Sequence, residues 1–244
     1  MPDLRNREKY EKALAAALAL VFARWLRELE ERGLIKNLRF TPQEIAELEK
    51  PIIKAGITGA KQVAKIAGMP WNDAMEIAAT ENIRETVVTP LVQLVEATTR
   101  QRVWDAAKVL GIGASISLVM DSIRDNVLNA SRINIITATE ITRSLSMGEN
   151  WSFRQWRALM EMVTGRNGDA EEKFDFDPED MTKPTAPFKV AFSMTPVWAT
   201  EKDDKVCKIC GPLNGRPADK WGKFELGPPA HPVCRCYLNY EVEK

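Results

Sequence analysis

The residues best suited to chemistry lie together near one end of the sequence. The single histidine, His231, and all four cysteines, Cys207, Cys210, Cys234 and Cys236, fall within the last 40 of 244 residues. Their order is Cys207-x2-Cys210, then twenty intervening residues, then His231-x2-Cys234-x-Cys236. Two residues between ligands let one short turn bring two donor atoms to the same cation. Gly211, directly after "CKIC", is expected to ease the backbone where it doubles back. The twenty-residue gap is at the long end of zinc-ribbon spacings. Zinc takes four nitrogen or sulfur ligands in a tetrahedron, and five candidates are present. The preferred set is Cys207, Cys210, His231 and Cys234. The alternative uses all four cysteines, with Cys236 as a ligand and His231 beside the site.

Other chemistries fit less well. Four cysteines permit two disulfides, or thiols that are simply reduced and buried, but a cytosolic origin opposes disulfides. A catalytic zinc needs an open coordination position, which four protein ligands do not leave. General-base or nucleophilic catalysis of the usual histidine kind would have to use His231, already claimed by the metal. No catalytic residue and no enzymatic activity are therefore expected. Asp175, Asp177 and Asp180 lack the glycine and terminal glutamate of a calcium loop. A competing function is nucleic-acid binding or processing by the zinc module. Lys205, Lys208, Arg216, Lys220, Lys223 and Arg235 make it locally basic, and Trp221, Phe224, Tyr237 and Tyr240 are of the type that stacks on bases.

The elements that must carry this cluster read as mainly α. An elongated helical body spans residues 1–165, a linker or loop 166–188, and a small α+β module, stapled by zinc, 189–244. "EKYEKALAAALALVFARWLRELEERG" is rich in helix formers and ends at Gly33, a candidate C-cap. "TPQE" starts a second helix, with Thr41 as cap, Pro42 in the first turn and Glu44 closing a capping box. Pro51 is expected to interrupt or restart it, and Pro90 to break or kink a later one that begins near "PWNDAM". Leu91, Leu94, Val95, Thr98 and Val103 follow helical spacing. "GIGAS" separates this stretch from "SLVMDSIRDNVLNASRINIITATEITRSLSMG", which also reads as helical. Residues 169–180 are acidic and aperiodic, the signature of a loop. Beyond them, strands are expected at Lys189–Met194, in "NGRPADKWGKF" and in "CRCYLNYEVE", with Asn214–Gly215 as a hairpin turn. There is no internal repeat.

Composition narrows the setting. The 34 basic and 34 acidic residues cancel, so no overall field draws the protein to nucleic acid or an anionic membrane. The longest apolar run, "ALAAALALVFA", is shorter than the roughly 20 residues a bilayer-spanning helix needs. Its flanks, acidic and basic before it and amphipathic after it, argue against a secretory leader.

The stretch "VCKICGPLNGRPA…WGKFELGPPAHPVCRCYL" resembles the C-terminal signature of phage minor head proteins of the Mu F-like head-morphogenesis family. The elements carrying the likeness are Cys207 and Cys210, Leu213 to Gly215, Phe224, and Pro228 through Cys236. Upstream, Thr139 and Glu140 in "TATE" match a helix motif of that family, with Ala138 where the family has arginine. The resemblance spans roughly residues 120–240. It implies a structural minor capsid protein, made in the host bacterial cytoplasm and built in several copies into the virion. It would act in head assembly near the portal protein and the major capsid protein, and contact packaged DNA. No membrane role is implied.

Overall fold

The computed structural model describes residues 4–32, 38–110, 115–164, 193–200, 207–224, 227–232, 234 and 236–243. Helices dominate: α1 Leu4–Arg32, α2 Pro42–Ala67, α3 Asp73–Ile83, α4 Thr89–Leu110, α5 Ile116–Asn126 and α6 Ala130–Thr164. Two short strands, β1 Ser193–Ala199 and β2 Tyr237–Glu243, pair antiparallel, with Trp198 opposite Leu238 and Pro196 opposite Tyr240. A mainly helical body with a small β-containing C-terminal part is the architecture expected from the sequence.

Local chemistry sets most helix ends. Thr41 accepts the Glu44 N–H at 3.2 Å, and the Glu44 carboxylate accepts the Thr41 N–H at 2.8 Å, which closes the expected capping box. The Glu44 carboxylate also takes two hydrogen bonds from Arg24 of α1, so the cap doubles as an α1–α2 tie. At the other end of α2, Gly68 adopts φ 72°, a left-handed C-cap that glycine takes without steric cost. Asn72 and Ser115 cap α3 and α5 through their side-chain oxygens.

Three expectations about breaks change. Pro51 lies buried inside α2, which runs through it without interruption. Before Pro90 the chain does not break but widens into a π-turn, Arg84–Val88, closed by the Thr89 N–H on the Arg84 carbonyl. The wider turn accommodates the missing proline N–H while the helical path continues. The long stretch after Ser115 is two helices, because Val127–Asn129 turn the chain and Asn129 caps the start of α6 through the Arg132 N–H at 2.8 Å. Gly33 and the linker 166–188 lie outside the described residues, as do Asp175, Asp177 and Asp180.

Helices α2 and α6 cross at unusually small side chains. A Cβ on Gly148 would overlap the Gly56 carbonyl, and one on Gly59 would overlap the Leu145 carbonyl. The backbones therefore touch, and Ser144 Oγ donates to the Ile52 carbonyl at 2.6 Å within the contact. Around this crossing, Leu14, Leu18, Phe22 and Trp25 of α1, Leu48 and Ile52 of α2, Ile83, Leu91 and Ile141 form the main core. Fully burying each such side chain contributes about 1.5–3 kcal/mol. A second core lies under the strands. Val63, Ala64 and Ala67 from the end of α2 and Trp156 from α6 pack with Trp198, Trp221, Leu238, Tyr240 and the buried cysteines. The C-terminal module thus sits on the floor made by α2 and α6.

Two strand expectations shift as well. The first strand is Ser193–Ala199, and residues 189–192 fall outside the described set. "NGRPADKWGKF" forms no strand. It supplies a bridge from Pro217 to Val197 and a 3-10 turn, Ala218–Lys220. Asn214–Gly215 is not a hairpin turn between paired strands. It brings the Gly215 N–H onto the Trp198 carbonyl at 2.8 Å, while the Trp198 N–H reaches the Arg216 carbonyl at 2.9 Å. Both main-chain groups of Trp198 are thereby used on the side of β1 away from β2.

Candidate metal centre

Two tight turns present the sulfur and nitrogen donors. In the first, the Gly211 N–H closes on the Cys207 carbonyl at 2.9 Å, and the Cys210 N–H points at Cys207 Sγ, 3.4 Å away. Gly211 opens a short 3-10 turn, Gly211–Leu213, and is not among the described glycines with positive φ, so the turn does not use its special freedom. In the second, the Cys234 N–H closes on the His231 carbonyl at 3.2 Å. The residues between ligands are thus spent on turns, as the two-residue spacing predicts.

The donors converge as two overlapping triads. Cys207, Cys210 and His231 form one, Cys210, Cys234 and Cys236 the other, and within each all ligand atoms lie within 4.8 Å of one another. Cys210 belongs to both. Its Sγ is 3.7 Å from Cys234 Sγ and 3.2 Å from His231 Nε2, while Cys207 Sγ is 2.9 Å from the same nitrogen. Two sulfurs bound tetrahedrally to one zinc sit about 3.8 Å apart, so the Cys210–Cys234 separation matches a shared cation. All five sequence candidates are close enough to take part in holding a metal ion.

The surroundings fit a cation. His231 Nδ1 is 2.8 Å from the Pro232 carbonyl, a contact that assigns the ring proton to Nδ1 and leaves the Nε2 lone pair facing the sulfurs. Burial opposes charge on Cys207, yet the Cys210 and Ile209 N–H groups and His231 hold its thiol below the ordinary value. Cys234 is brought down to about 5, first by hydrogen bonding from Cys236 and then by nearby backbone N–H groups. Burial pushes Cys210 up to about 12, helped by the adjacent Cys234 charge. Cys236 is raised too, because it holds its proton against Cys234. Several thiols in one buried place cannot all ionise without a cation among them. Trp198 Nε1 is buried without a hydrogen-bond partner and lies near enough to Cys236 to favour its thiolate.

The helical body holds this centre by the main chain. The Cys234 carbonyl accepts from Thr142 Oγ1 of α6 at 2.8 Å and from Arg7 Nη2 of α1 at 3.3 Å. Thr142 lies two residues beyond the "TATE" segment. Within that segment Glu140 is buried and takes two hydrogen bonds from Arg143, at 3.0 and 2.9 Å. Sequence reasoning missed Arg7 and Thr142, since nothing in their neighbourhoods marks a contact across 227 and 92 positions.

It also missed Glu149. This side chain is 1% exposed between α6 and β2, accepts the Leu238 N–H, and keeps one oxygen, Oε2, unpartnered. Burial raises its carboxyl to about 8. The Tyr240 hydroxyl, also buried and unpartnered, is raised by burial and by the nearby Glu149 charge.

Of the aromatic residues considered for base stacking, Trp221 and Tyr240 are buried, 3% and 7% exposed. Trp221 packs edge-on against Trp198 and donates to the Arg216 carbonyl at 2.7 Å. Both serve the second core and offer no free face to a base. Lys220 pairs with Asp219, Lys223 lies over Phe224, and Lys205 and Arg235 are outside the described residues. No described helix is long and apolar enough to cross a membrane. No family model, no curated protein and no solved structure matches the chain.

Proposed function

We propose that the centre holds a structural zinc ion through Cys207, Cys210, His231 and Cys234, with Cys236 as a protonated neighbour that donates to the Cys234 thiolate. The observation that carries this is His231 Nε2 facing two sulfurs while Nδ1 is tied to the Pro232 carbonyl. Such a tie fixes the tautomer and ring direction of a metal-bound imidazole. The zinc clasps the two turns, and the clasp is anchored to α1 and α6 through the Cys234 carbonyl. Binding zinc contributes about 10–16 kcal/mol to small modules of this kind, enough to dominate the stability of a two-stranded unit. Four protein ligands leave no open position for catalysis.

We infer further that the protein is a structural minor capsid component of a tailed phage, acting in head assembly near the portal and major capsid proteins and contacting packaged DNA. Its support is the closing motif from Pro228 to Cys236, read together with the convergence of its His231, Cys234 and Cys236 on the "CKIC" turn. The motif's spacing has a physical use in this chain. Elemental analysis of the purified protein, together with mass spectrometry of virions and proheads, tests both parts. One zinc per chain and presence in both particles are expected. Metal-free protein with two disulfides overturns the clasp, and absence from the particles overturns the capsid role.

A further inference from the structure

We propose that the cleft between α4 and the start of α6 is a binding site for a small carboxylate that carries an apolar chain. The cleft encloses about 310 Å³ and is lined by Leu91, Leu94, Val95 and Ile135 on its apolar side and by Arg102 and Arg132 on its polar side. That volume is at the lower end for small-ligand sites, which combine apolar walls with a few convergent polar groups.

The charge pattern is what asks for an anion. Arg132 is 8% exposed, with its guanidinium over the Phe22 ring and hydrogen-bonded to the Val127 carbonyl and Thr98 Oγ1, both neutral acceptors. Among the described residues it has no carboxylate partner, and neither does Arg102. Instead the two arginines repel each other, and burial with that repulsion lowers Arg132 to about 10. A buried cation without a counter-charge is costly, and an anion placed between these two offsets the cost. Glu140 also lines the cleft, but its carboxylate is occupied by Arg143. The cleft opens beside the N-terminus of α6, where the helix dipole adds to the attraction for negative charge.

The apolar chain has somewhere to go. A second hollow of about 370 Å³ adjoins the first through their shared Arg102 and Asn126, with Ala106, Val109 and Val127 on its walls. Leu94 and Val109, 54% and 84% exposed, are large apolar side chains at the two hollows. Asp105 shares the second hollow with Arg102, but its carboxylate accepts from Gln101 at 2.9 Å and makes no ion pair with Arg102 among the described residues. The arrangement selects a carboxylate head at Arg102 and Arg132 and an aliphatic tail toward Val109. It is independent of the metal centre.

Titration of the full-length protein with octanoate, octanol and acetate, followed by methyl NMR, tests the proposal. Octanoate is expected to shift the Leu94, Ile135 and Val109 methyl signals saturably, with octanol and acetate each about tenfold weaker. Arg102→Gln, at an exposed position, is expected to weaken octanoate about tenfold and leave octanol unchanged. Arg132→Gln should do the same if it folds, and the Arg102 variant decides the matter if it does not. Equal binding of octanol, equal binding of acetate, no saturable shift, or an unchanged affinity in Arg102→Gln would each overturn it.

Discussion

Thr142 Oγ1 lies 2.8 Å from the main-chain carbonyl of Cys234, joining the middle of the longest helix to the second ligand turn. The same hydroxyl is 2.8 Å from the Ala138 carbonyl, so one proton serves two acceptors. With Arg7 also donating to it, the Cys234 carbonyl is a point at which the helical body and the candidate metal centre are joined.

Replacing Thr142 by valine keeps the shape and removes the donor. Unfolding of the metal-loaded protein in urea should show a loss of about 1–2 kcal/mol, since a buried carbonyl retains only its weaker Arg7 contact. Metal release to a chelator should quicken as well. An unchanged midpoint and an unchanged release rate would show that the contact carries no coupling.

Removal of single ligands should rank by geometry. Cys210→Ser is expected to abolish metal retention, because Cys210 belongs to both triads. His231→Ala should weaken it far more than Cys236→Ser. Cobalt substitution provides the check, since three sulfurs with one nitrogen and four sulfurs give different visible spectra. A four-sulfur spectrum would place Cys236 on the metal and His231 off it.

Gly148→Ala should be among the most damaging substitutions on the helical body. Its Cβ would overlap the Gly56 carbonyl, and backbone cannot rotate away as a side chain can. Forcing the α2–α6 contact apart costs about 1–3 kcal/mol or more, read as a lowered Tm. Retention of the wild-type Tm would mean the two helices do not meet as closely as described.

Glu149 makes stability depend on pH in a defined direction. Its carboxyl is near 8 in the folded protein, against an ordinary value of 4.5, so the folded state holds the proton more tightly. Its favourable contribution is complete below about pH 4.5 and declines as pH rises, until it is gone near pH 8. Glu149→Gln keeps an acceptor for the Leu238 N–H and cannot ionise. The difference in urea midpoint between the two proteins should therefore grow with pH from about 5 to 8. A constant difference would refute the buried, protonated state.

What was legible in the sequence was local. Thr41 and Glu44 stand three positions apart, and their capping box is a property of that spacing alone. Cys207 and Cys210 likewise declare a turn. The Pro90 outcome was half legible: proline predicts a disturbed helix, but whether the chain breaks or widens into a π-turn depends on what surrounds Val87 and Val88, both buried. The α2–α6 crossing was not legible, because Gly56 and Gly148 look like ordinary helix-weakening residues until the two helices are placed together. Glu149 was hidden for the same reason. In sequence it is one acid on a helix, and only β2 makes it a buried acceptor. The five metal candidates stand out by spacing, whereas their grouping around Cys210 arises only when the fold brings the two turns together.

The pairing of β1 with β2 imposes an order of events during synthesis. The first strand and the "CKIC" turn are synthesised after α1 through α6 and before their partners at 231–243. Until those partners arrive, Trp198 has no Leu238 to cover it and Cys207 and Cys210 lack the other members of their cluster. The nascent chain thus carries an uncovered tryptophan and two uncommitted thiols beside a finished helical floor, a window in which chaperones, oxidants and competing metals have their best access to it.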